Sequence, residues 1–307
     1  MTVQSVQKTS NSDPAEFLQV TREAVNQTLA DWSDRVRMEF ERPVGEAIAY
    51  SLATPGKRLR PALLIAAYET LGGAGDVVEL ATAVEVLHTY SLVHDDLPCM
   101  DDDDLRRGRP STHCQFDVPT ATEAGFRMVP LAARVLASGG NRLGLSAAVL
   151  GSVGGELFQA VGASGMVGGQ VLDLEAENRD VSLEELMRIH RAKTGALITA
   201  CGVMGAMAAG ADNSEVEAVR SYGQEIGLAF QIVDDILDAT ATSSELGKTV
   251  GKDAEQNKAT YPGLLGMDAA KGEAETRVRD AVDHLTRCGI DSMLLGGLAK
   301  FVANRRY

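Results

Sequence analysis

The sequence predicts an all-α protein. Ala, Leu, Glu, Met and Arg, which favour helices, are abundant, and no segment has the period-two alternation of Val, Ile, Thr or aromatic residues that is typical of strands. The chain has 307 residues, of which 45% are hydrophobic, so it can bury a large core. No Pro- or Ser-rich linker, charge block or internal repeat divides it. We therefore predict one all-α domain over residues 14–307, preceded by a disordered segment over residues 1–13.

The first helix has the clearest beginning. Asp13 can cap it, Pro14 takes its first position, and Glu16 follows three residues after the cap, as in a capping box. Further helices are predicted over residues 44–53, 60–71, 76–97, 119–138, 142–165, 167–177, 182–211, 214–239 and 267–301. Glycines predict turns between them, at Gly72-Gly73, Gly139-Gly140 and Gly210.

Charge and cysteine usage exclude several classes of protein. The 43 acidic residues exceed the 29 basic ones by 14, which argues against binding of nucleic acid or of anionic membranes. The longest uncharged stretch, residues 194–211, is rich in Gly and Ala and is interpreted as a buried helix rather than a membrane span. The four cysteines are scattered and the first residues lack the apolar core of a signal peptide, so we expect a cytoplasmic protein.

Two acidic clusters stand out against the apolar helical background. The first follows an apolar helix and contains Asp95, Asp96 and Asp101 around Pro98. Since proline cannot continue a regular helix, we expect Asp95 and Asp96 on its last turn and Asp101 on a loop that returns to the same point. Such oxygen ligands suit a hard cation, although a solvated acidic loop is the structural alternative.

The second cluster lies inside a long helical pattern. Asp234 and Asp238 are four residues apart, which places two carboxylates on one helical face with Asp235 beside them. Like charges at this spacing repel unless a cation neutralises them, so a purely structural role is hard to assign. Together the clusters predict a cage for several Mg²⁺ ions, which commonly bind one or two carboxylates together with substrate phosphates.

An acidic protein that binds a diphosphate needs local clusters of positive charge, and the sequence contains three sets of basic residues that could provide them. Arg offers bidentate contacts to phosphate and Lys a mobile point charge, although single lysines are more often ordinary surface charge. The candidates are Lys57 and Arg60, then Arg106, Arg107 and Arg109, and a dispersed set of Lys193, Lys248, Lys252 and Lys258.

These motifs resemble the trans-isoprenyl diphosphate synthases, and within that family the bacterial farnesyl diphosphate synthases. The resemblance covers nearly the whole chain. It rests on residues 56–61, the first aspartate motif 95–101 with Arg106-Arg107-Gly108, the segment from Gly169-Gln170 to Asp173, Lys193-Thr194-Gly195, and residues 230–238.

The resemblance implies an all-α bundle around a deep central cavity, of the isoprenoid synthase type, that condenses isopentenyl diphosphate with an allylic diphosphate and forms a homodimer. It further implies Mg²⁺, with three ions per active site, and a mechanism of ionisation, condensation and elimination. The metal residues implied are Asp95, Asp101 and Asp234, supported by Asp96, Asp235 and Asp238. The substrate and catalytic residues implied are Arg106, Lys193, Lys248 and Lys258 for the allylic diphosphate; Lys57, Arg60, His88 and Arg107 for isopentenyl diphosphate; and Thr194 and Gln231 beside the reacting carbons.

Product length is expected to depend on Tyr90 and Ser91, which lie about one turn before Asp95. A bulky aromatic residue there resembles the floor that limits the product to C15. One departure concerns the helix that follows, where residues 124–128 read Ala-Gly-Phe-Arg-Met in place of the family's Gly-Asp-Ala-Leu.

Three rival functions remain open. A geranylgeranyl diphosphate synthase would share the mechanism and make a C20 product. A terpene cyclase would have no use for the basic isopentenyl-binding cluster. A noncatalytic partner subunit could lose its aspartate clusters without penalty, and both clusters are intact here.

Overall fold

The structure is a computed structural model that describes residues 13–240, 258–291 and 293–305. Within these residues the chain forms fourteen α-helices, one short π-helix and one two-stranded hairpin, which confirms the predicted all-α class. Two compact units can be distinguished. We call residues 17–62 and 76–145 the hairpin unit, and residues 13–16, 63–75 and 146–305 the π-helix unit. The prediction that residues 14–307 form one domain stays a prediction.

The hairpin unit is built on the packing of two long helices. Its elements are most of α1 (Pro14–Glu39), α2 (Val44–Leu52), the start of α3 (Leu59–Thr70), α4 (Val78–Asp95), β1 (Leu105–Arg106), β2 (Arg109–Pro110), α5 (Thr112–Gln115) and α6 (Val118–Arg142). α4 is buried on almost its whole circumference and packs along α6. Gly139 of α6 lies so close to the backbone of Leu80 that a side chain there would collide with it. The turn predicted at Gly139-Gly140 is therefore wrong, since both glycines are buried within α6.

The π-helix unit contains the remaining elements. They are the rest of α3, α7 (Ala147–Val161), α8 (Met166–Ala176), α9 (Leu183–His190), the π-helix (Arg191–Gly195), α10 (Ala196–Ala209), α11 (Asn213–Thr240), α12 (Tyr261–Leu265), α13 (Met267–Arg287) and α14 (Met293–Asn304). α11 packs against α10 and the π-helix through glycines. A Cβ on Gly227 would come 2.6 Å from the Cα of Gly195, and one on Gly223 would come 2.7 Å from the Cα of Thr199. These contacts fix the position of α11 next to the π-helix.

Most predicted helices are present, and two of them differ clearly from the prediction in their bounds. α1 begins at Pro14 as predicted, and the carboxylate of Asp13 accepts a hydrogen bond from the N–H of Ala15. The helix predicted over 142–165 starts later, because the hydroxyl of Ser146 caps α7 by accepting from the N–H of Val149. The helix predicted over 267–301 is divided into α13 and α14 at Gly289, whose φ of 76° is left-handed.

The segment predicted as one helix over 182–211 is continuous but changes geometry over the π-helix. Leu183–Ala209 is also long and apolar enough to cross a membrane by composition, and 67% of its most apolar window is buried inside the protein. That burial agrees with its interpretation as a core helix. Of the segment predicted as disordered, only Asp13 lies within the described residues.

Candidate active site

The first aspartate motif closes around the end of α4. α4 ends at Asp95, three residues before Pro98. The N–H of Asp101 then donates to the carbonyl oxygen of Asp95 at 2.9 Å, and the N–H of Asp103 donates to that of Asp96 at 3.2 Å. The predicted return of Asp101 to the end of the helix is confirmed at the level of the backbone.

Asp96 differs from its neighbours because it is buried and held by an arginine. Its residue is 2% exposed, and its carboxylate accepts from Nε of Arg106 at 3.0 Å and from Nη2 of the same side chain. Nη2 of Arg106 also contacts the carboxylate of Asp103 at 3.3 Å. Burial raises the pKa of Asp96, against the lowering effect of Arg106. Within the motif, Asp96 and Arg106 therefore form an internal support.

The arginines that follow lie on a tight hairpin. β1 and β2 pair antiparallel, with Arg106 opposite Arg109. The two turn residues, Arg107 and Gly108, have φ of 53° and 75°, as a two-residue type I′ turn requires. The guanidinium of Arg109 lies 4.2 Å above the ring of Tyr50, whose hydroxyl donates to the carbonyl of Pro110 at 2.7 Å. The hairpin is thereby fixed to α2.

A buried ion pair between Arg58 and Glu85 holds the first basic segment, residues 56–61, in place. Arg58 is 4% exposed, with a left-handed φ of 53°, and its Nη1 donates to the carboxylate of Glu85 at 2.6 Å. Its Nε donates to Asn26 at 2.9 Å, and its Nη2 donates to the carbonyl of Thr54 at 2.8 Å. Breaking such a buried pair on one side leaves an uncompensated charge. Arg58 thus anchors the loop that carries Lys57.

The predicted isopentenyl-binding residues are grouped in the hairpin unit. Nη1 of Arg60 lies 3.2 Å from Nε2 of His88, and Nη1 of Arg107 donates to the carbonyl of Pro55 at 2.6 Å, in the segment before the exposed Lys57. Burial lowers the pKa of His88 well below its usual value, and the charges of Arg60 and Arg107 lower it further. His88 is therefore neutral at pH 7 and adds no charge to this cationic group.

Tyr90 belongs to a group of aromatic rings that contact each other edge to face. Its ring meets that of His94 edge to face at 4.9 Å between centroids, and His94 meets Phe126 in the same way at 5.3 Å. A Cβ on Gly125 would overlap the His94 ring, so the glycine is needed there. Phe126, which belongs to the segment that departs from the family pattern, is 62% exposed and adds a second aromatic ring against His94. Ser91 uses its hydroxyl to donate to the carbonyl of His88 at 2.9 Å.

In the π-helix unit, the carboxylate of Asp173 forms ion pairs with two of the predicted phosphate-binding lysines. Oδ2 of Asp173 lies 2.5 Å from Nζ of Lys193 and 3.4 Å from Nζ of Lys258. Lys258 also lies 3.3 Å from the carboxylate of Glu177. The pKa of Asp173 is lowered, because the charges of the two lysines outweigh the raising effect of burial. Lys193 and Lys258 are thus brought together, while Lys248 and Lys252 lie outside the described residues.

A chain of hydrogen bonds links the π-helix to α11. The hydroxyl of Thr194 donates to Oε1 of Gln231 at 3.0 Å, and Nε2 of Gln231 donates to the carboxylate of Asp235 at 3.2 Å. The other oxygen of Asp235 accepts from the N–H of Tyr261 at 2.9 Å. Asp235 is 4% exposed. The π geometry, which is frequent at functional sites, places Thr194 at the start of this chain.

Asp234 pairs with Arg305, the last residue that the structure describes. Its carboxylate accepts a hydrogen bond from Nη2 of Arg305, which also donates to the carbonyl of Phe230 at 2.7 Å. The Arg305 guanidinium lies 3.7 Å above the ring of Phe230. The Asp234 side chain is 43% exposed, whereas that of Arg305 is only 7% exposed, so an accessible carboxylate is paired with a buried guanidinium. Asp238 is one helical turn further along α11.

The structure therefore divides the predicted residues into groups. Asp96 and Asp235 are buried and bound by other residues of the protein, in contrast to the accessible carboxylate of Asp234. The two acidic motifs belong to different units, and the cage that they are predicted to form together stays a prediction. Sequence reasoning missed Arg58 and Arg305 as partners of functional residues, and it quoted Asp173 without giving it a role. Their partners lie 20 or more residues away in sequence, so no local pattern could reveal them.

Comparison with known proteins agrees with this arrangement. Residues 41–289 match the polyprenyl synthetase family. The chain is 42% identical over 302 residues to the large subunit 1 of the heterodimeric chloroplastic geranylgeranyl pyrophosphate synthase of Arabidopsis thaliana, covering 97% of this chain and 81% of that protein. It is 39% identical over 297 residues to the farnesyl diphosphate synthase of Bacillus subtilis, covering 94% and 97% of the two chains.

A solved structure gives the same result. The geranyltransferase of Helicobacter pylori, complexed with magnesium and isoprenyl diphosphate, superposes with a TM-score of 0.78 at 30% identity, covering 96% of this chain and 97% of that one. The sequence resemblance, the all-α fold and these matches agree. The chain belongs to the polyprenyl synthetase family and is a trans-prenyl diphosphate synthase, a prenyltransferase.

Proposed function

We propose that this protein is a Mg²⁺-dependent farnesyl diphosphate synthase, which condenses isopentenyl diphosphate with dimethylallyl and then geranyl diphosphate to a C15 product. The observation that carries the choice of product is the edge-to-face contact of Tyr90 with His94, which in turn contacts Phe126. It holds a large aromatic side chain in place on α4 just before Asp95. A rigid ring at this position suits a floor that stops chain growth.

The acidic residues fit a hard divalent cation. Asp234 attracts the guanidinium of Arg305, so its position already accepts positive charge. Asp95 and Asp101 are joined by their backbones and offer oxygen donors of the kind that Mg²⁺ prefers. Asp95, Asp101 and Asp234 would hold the metal, and Asp96, Asp235 and Asp238 would support them. Bound Mg²⁺ supplies positive charge that neutralises diphosphate oxygens.

Two different sets of residues would bind the two substrates. Lys193 and Lys258, oriented by Asp173, would bind the allylic diphosphate while negative charge develops on it. Arg60 and Arg107, with Lys57 and neutral His88, would bind the diphosphate of isopentenyl diphosphate. Thr194 and Gln231 would orient the reacting carbons. A proton is lost after condensation, and the released diphosphate would accept it.

The first test incubates the purified protein with Mg²⁺, isopentenyl diphosphate and dimethylallyl diphosphate and identifies the dephosphorylated products by chain length. We expect a dominant C15 alcohol from the wild type and a shift towards C20 from Tyr90→Ala. Tyr90→Phe keeps the ring and is the matched control, which should stay at C15. A C15 product from Tyr90→Ala would contradict the role of Tyr90.

The second candidate is a geranylgeranyl diphosphate synthase, which is favoured by the identity of 42% to the Arabidopsis thaliana enzyme subunit. A dominant C20 product from the wild type would establish it and would leave the mechanism intact. Absence of any elongation by the folded protein, also with geranyl diphosphate as primer, would favour a noncatalytic partner subunit.

The assembly and location of the protein are part of the proposal. We expect a homodimer, which light scattering after size-exclusion chromatography would detect. A monomer, or activity that appears only with a second kind of subunit, would contradict it. A cytoplasmic location is supported by the cysteine pattern of the sequence, in which four cysteines are scattered and none forms a C-x-x-C pair.

A further inference from the structure

Three side chains with metal-binding atoms meet beside the arginine hairpin, from the segments that precede and follow it. Sγ of Cys114 lies 3.2 Å from Oδ1 of Asp104 and 3.4 Å from Nε2 of His113. All three atoms lie within 4.8 Å of one another. Asp104 precedes β1, and the other two residues belong to α5. The aspartate motif and the basic clusters described above do not use these atoms.

The surroundings hold the three side chains in this arrangement. Oγ of Ser111, a residue only 1% exposed, lies 3.1 Å from Nδ1 of His113. The N–H of Ser111 donates to the carbonyl of Asp104 at 2.8 Å, which ties the two segments together at the base of the hairpin. A hydrogen bond to the second ring nitrogen is the usual way in which a protein orients a metal-binding histidine.

Two of the three separations between ligand atoms are close to those in a zinc coordination sphere, and the third, between Asp104 and His113, is within 4.8 Å. With Zn–S near 2.3 Å and Zn–N and Zn–O near 2.0–2.2 Å, ligand atoms on a tetrahedron lie about 3.4–3.6 Å apart. The observed separations of 3.2 and 3.4 Å differ from these values by a small side-chain adjustment. We propose that Asp104, His113 and Cys114 form a three-ligand site for Zn²⁺ or a similar thiophilic divalent ion, with water as the fourth ligand.

The chemistry of the donors separates this site from the magnesium-type aspartates. A thiolate and an imidazole favour Zn²⁺ and Co²⁺, whereas Mg²⁺ favours oxygen donors. Binding forms a metal–sulfur bond and releases the thiol proton of Cys114 to solvent. The same residues do not make a catalytic triad, because Asp104 contacts the sulfur and not the imidazole, so it cannot orient the histidine as a base.

An ion at this site would act on the hairpin. The ligands flank residues 105–110, so the metal would join the two ends of the hairpin that carries Arg106 and Arg107. Occupancy therefore slows the opening of this segment. Hydrogen exchange at the N–H of Ser111, which closes the base of the hairpin, should slow when Zn²⁺ is added.

The test uses the full chain without a histidine tag, kept reduced by a phosphine, in excess Mg²⁺ so that the aspartate motifs are saturated. Co²⁺ serves as the probe, because a thiolate ligand gives a charge-transfer absorption in the near ultraviolet. We expect one equivalent of Co²⁺ to produce this absorption and one equivalent of Zn²⁺ to abolish it. The absence of the absorption from the wild type would overturn the proposal.

Variants identify the ligands. Cys114→Ser should lose the absorption, and His113→Gln and Asp104→Asn should weaken Zn²⁺ binding by about tenfold or more. Cys99→Ser and Asp102→Asn, at exposed positions in the same loop, are the matched controls and should bind as the wild type does. Circular dichroism verifies that each variant is folded. An absorption that survives in Cys114→Ser, or that disappears in Cys99→Ser, would also overturn the proposal.

Discussion

At the scale of single residues, carboxylates of the same type have different environments. Asp96 and Asp235 are 2% and 4% exposed, and each accepts hydrogen bonds from groups of the protein. The Asp234 side chain is 43% exposed and pairs with Arg305, whose side chain is 7% exposed. The sequence indicated which residues carry negative charge, because their spacing on α11 and around Pro98 is local. The resemblance already implied that Asp96 and Asp235 are supports, but the sequence could not show which groups hold them or Asp234, since Arg106, Tyr261 and Arg305 are contributed by other segments.

Asp173 gives the first prediction at this scale. Asp173→Asn removes the charge that holds Lys193 and Lys258 together, so the two ammonium groups repel and lose their orientation. We expect kcat/KM for the allylic substrate to fall by about 10²-fold, the size of effect that misplacement of a binding group can have. Glu175→Gln, at an exposed position of the same helix, is the control and should keep wild-type kinetics. Wild-type kinetics for Asp173→Asn would contradict the role.

The buried His190 predicts a pH dependence of stability. Burial lowers its pKa to about 4. As the pH falls through about 6.5, the unfolded chain binds a proton that the folded protein does not bind until about pH 4. This residue therefore makes the free energy of unfolding decrease by up to about 1.4 kcal/mol per pH unit within that window.

Urea unfolding between about pH 7.5 and 5.5 measures this effect. In His190→Gln the free energy of unfolding should depend less steeply on pH, by the contribution of one proton. His88 and His94, whose pKa values are also lowered by burial, continue to contribute to the dependence. Equal slopes for the variant and the wild type would show that His190 is not buried in its neutral form.

At the scale of elements, small residues decide where helices meet. Gly227 of α11 touches Gly195 at the end of the π-helix, which positions Gln231 one turn later beside Thr194. Gly227→Ala forces these elements apart. We expect it to destabilise the protein by about 1–3 kcal/mol, as overpacking does, and to lower kcat.

Gly272→Ala is the matched control. It also adds one methyl group inside a helix, but no atom lies within 4 Å of the added carbon. Because alanine favours helix, this change should stabilise α13 by about 0.4–1 kcal/mol. Thermal and urea unfolding of both variants give the comparison, and equal effects would exclude a specific contact at Gly227.

The elements also explain which parts of the fold the sequence predicted. Long apolar helices were predicted because their patterns are local, and α4 and α11 lie close to the expected positions. The hairpin was missed because strands of two residues are too short for an alternating pattern. The π-helix was missed because its residues also fit an α-helix. Gly139-Gly140 resembled a turn, although the close approach of α4 to α6 is what requires small residues there.

At the scale of the whole molecule, ligand binding should be visible as stability. The net charge of −14 disfavours an anion, so diphosphate should bind weakly unless a cation accompanies it. Mg²⁺ with inorganic diphosphate should stabilise the protein by about 2.7 kcal/mol at a hundredfold excess over Kd. Thermal unfolding should detect this as a rise of several degrees, which a chelator reverses.

Neither component alone should reproduce that shift, because each needs the charge of the other. If diphosphate alone gave the full rise in unfolding temperature, the basic residues would bind it without a metal ion. Asp101→Asn should reduce the joint effect, and Asp102→Asn, which changes an exposed residue beside it, should not.

The hairpin has one more consequence, for how this enzyme tolerates change in length. Arg106 and Arg107 are adjacent in sequence, yet one faces Asp96 and Asp103 and the other reaches Pro55. The two directions differ because Arg106 is the last residue of β1, whereas Arg107 is the first turn residue and has a left-handed φ of 53°. A single residue inserted before Arg106 would turn its side chain to the opposite face of the strand and leave Asp96 without its partner. Substitution should therefore be possible at many positions of this segment, but insertion or deletion should not.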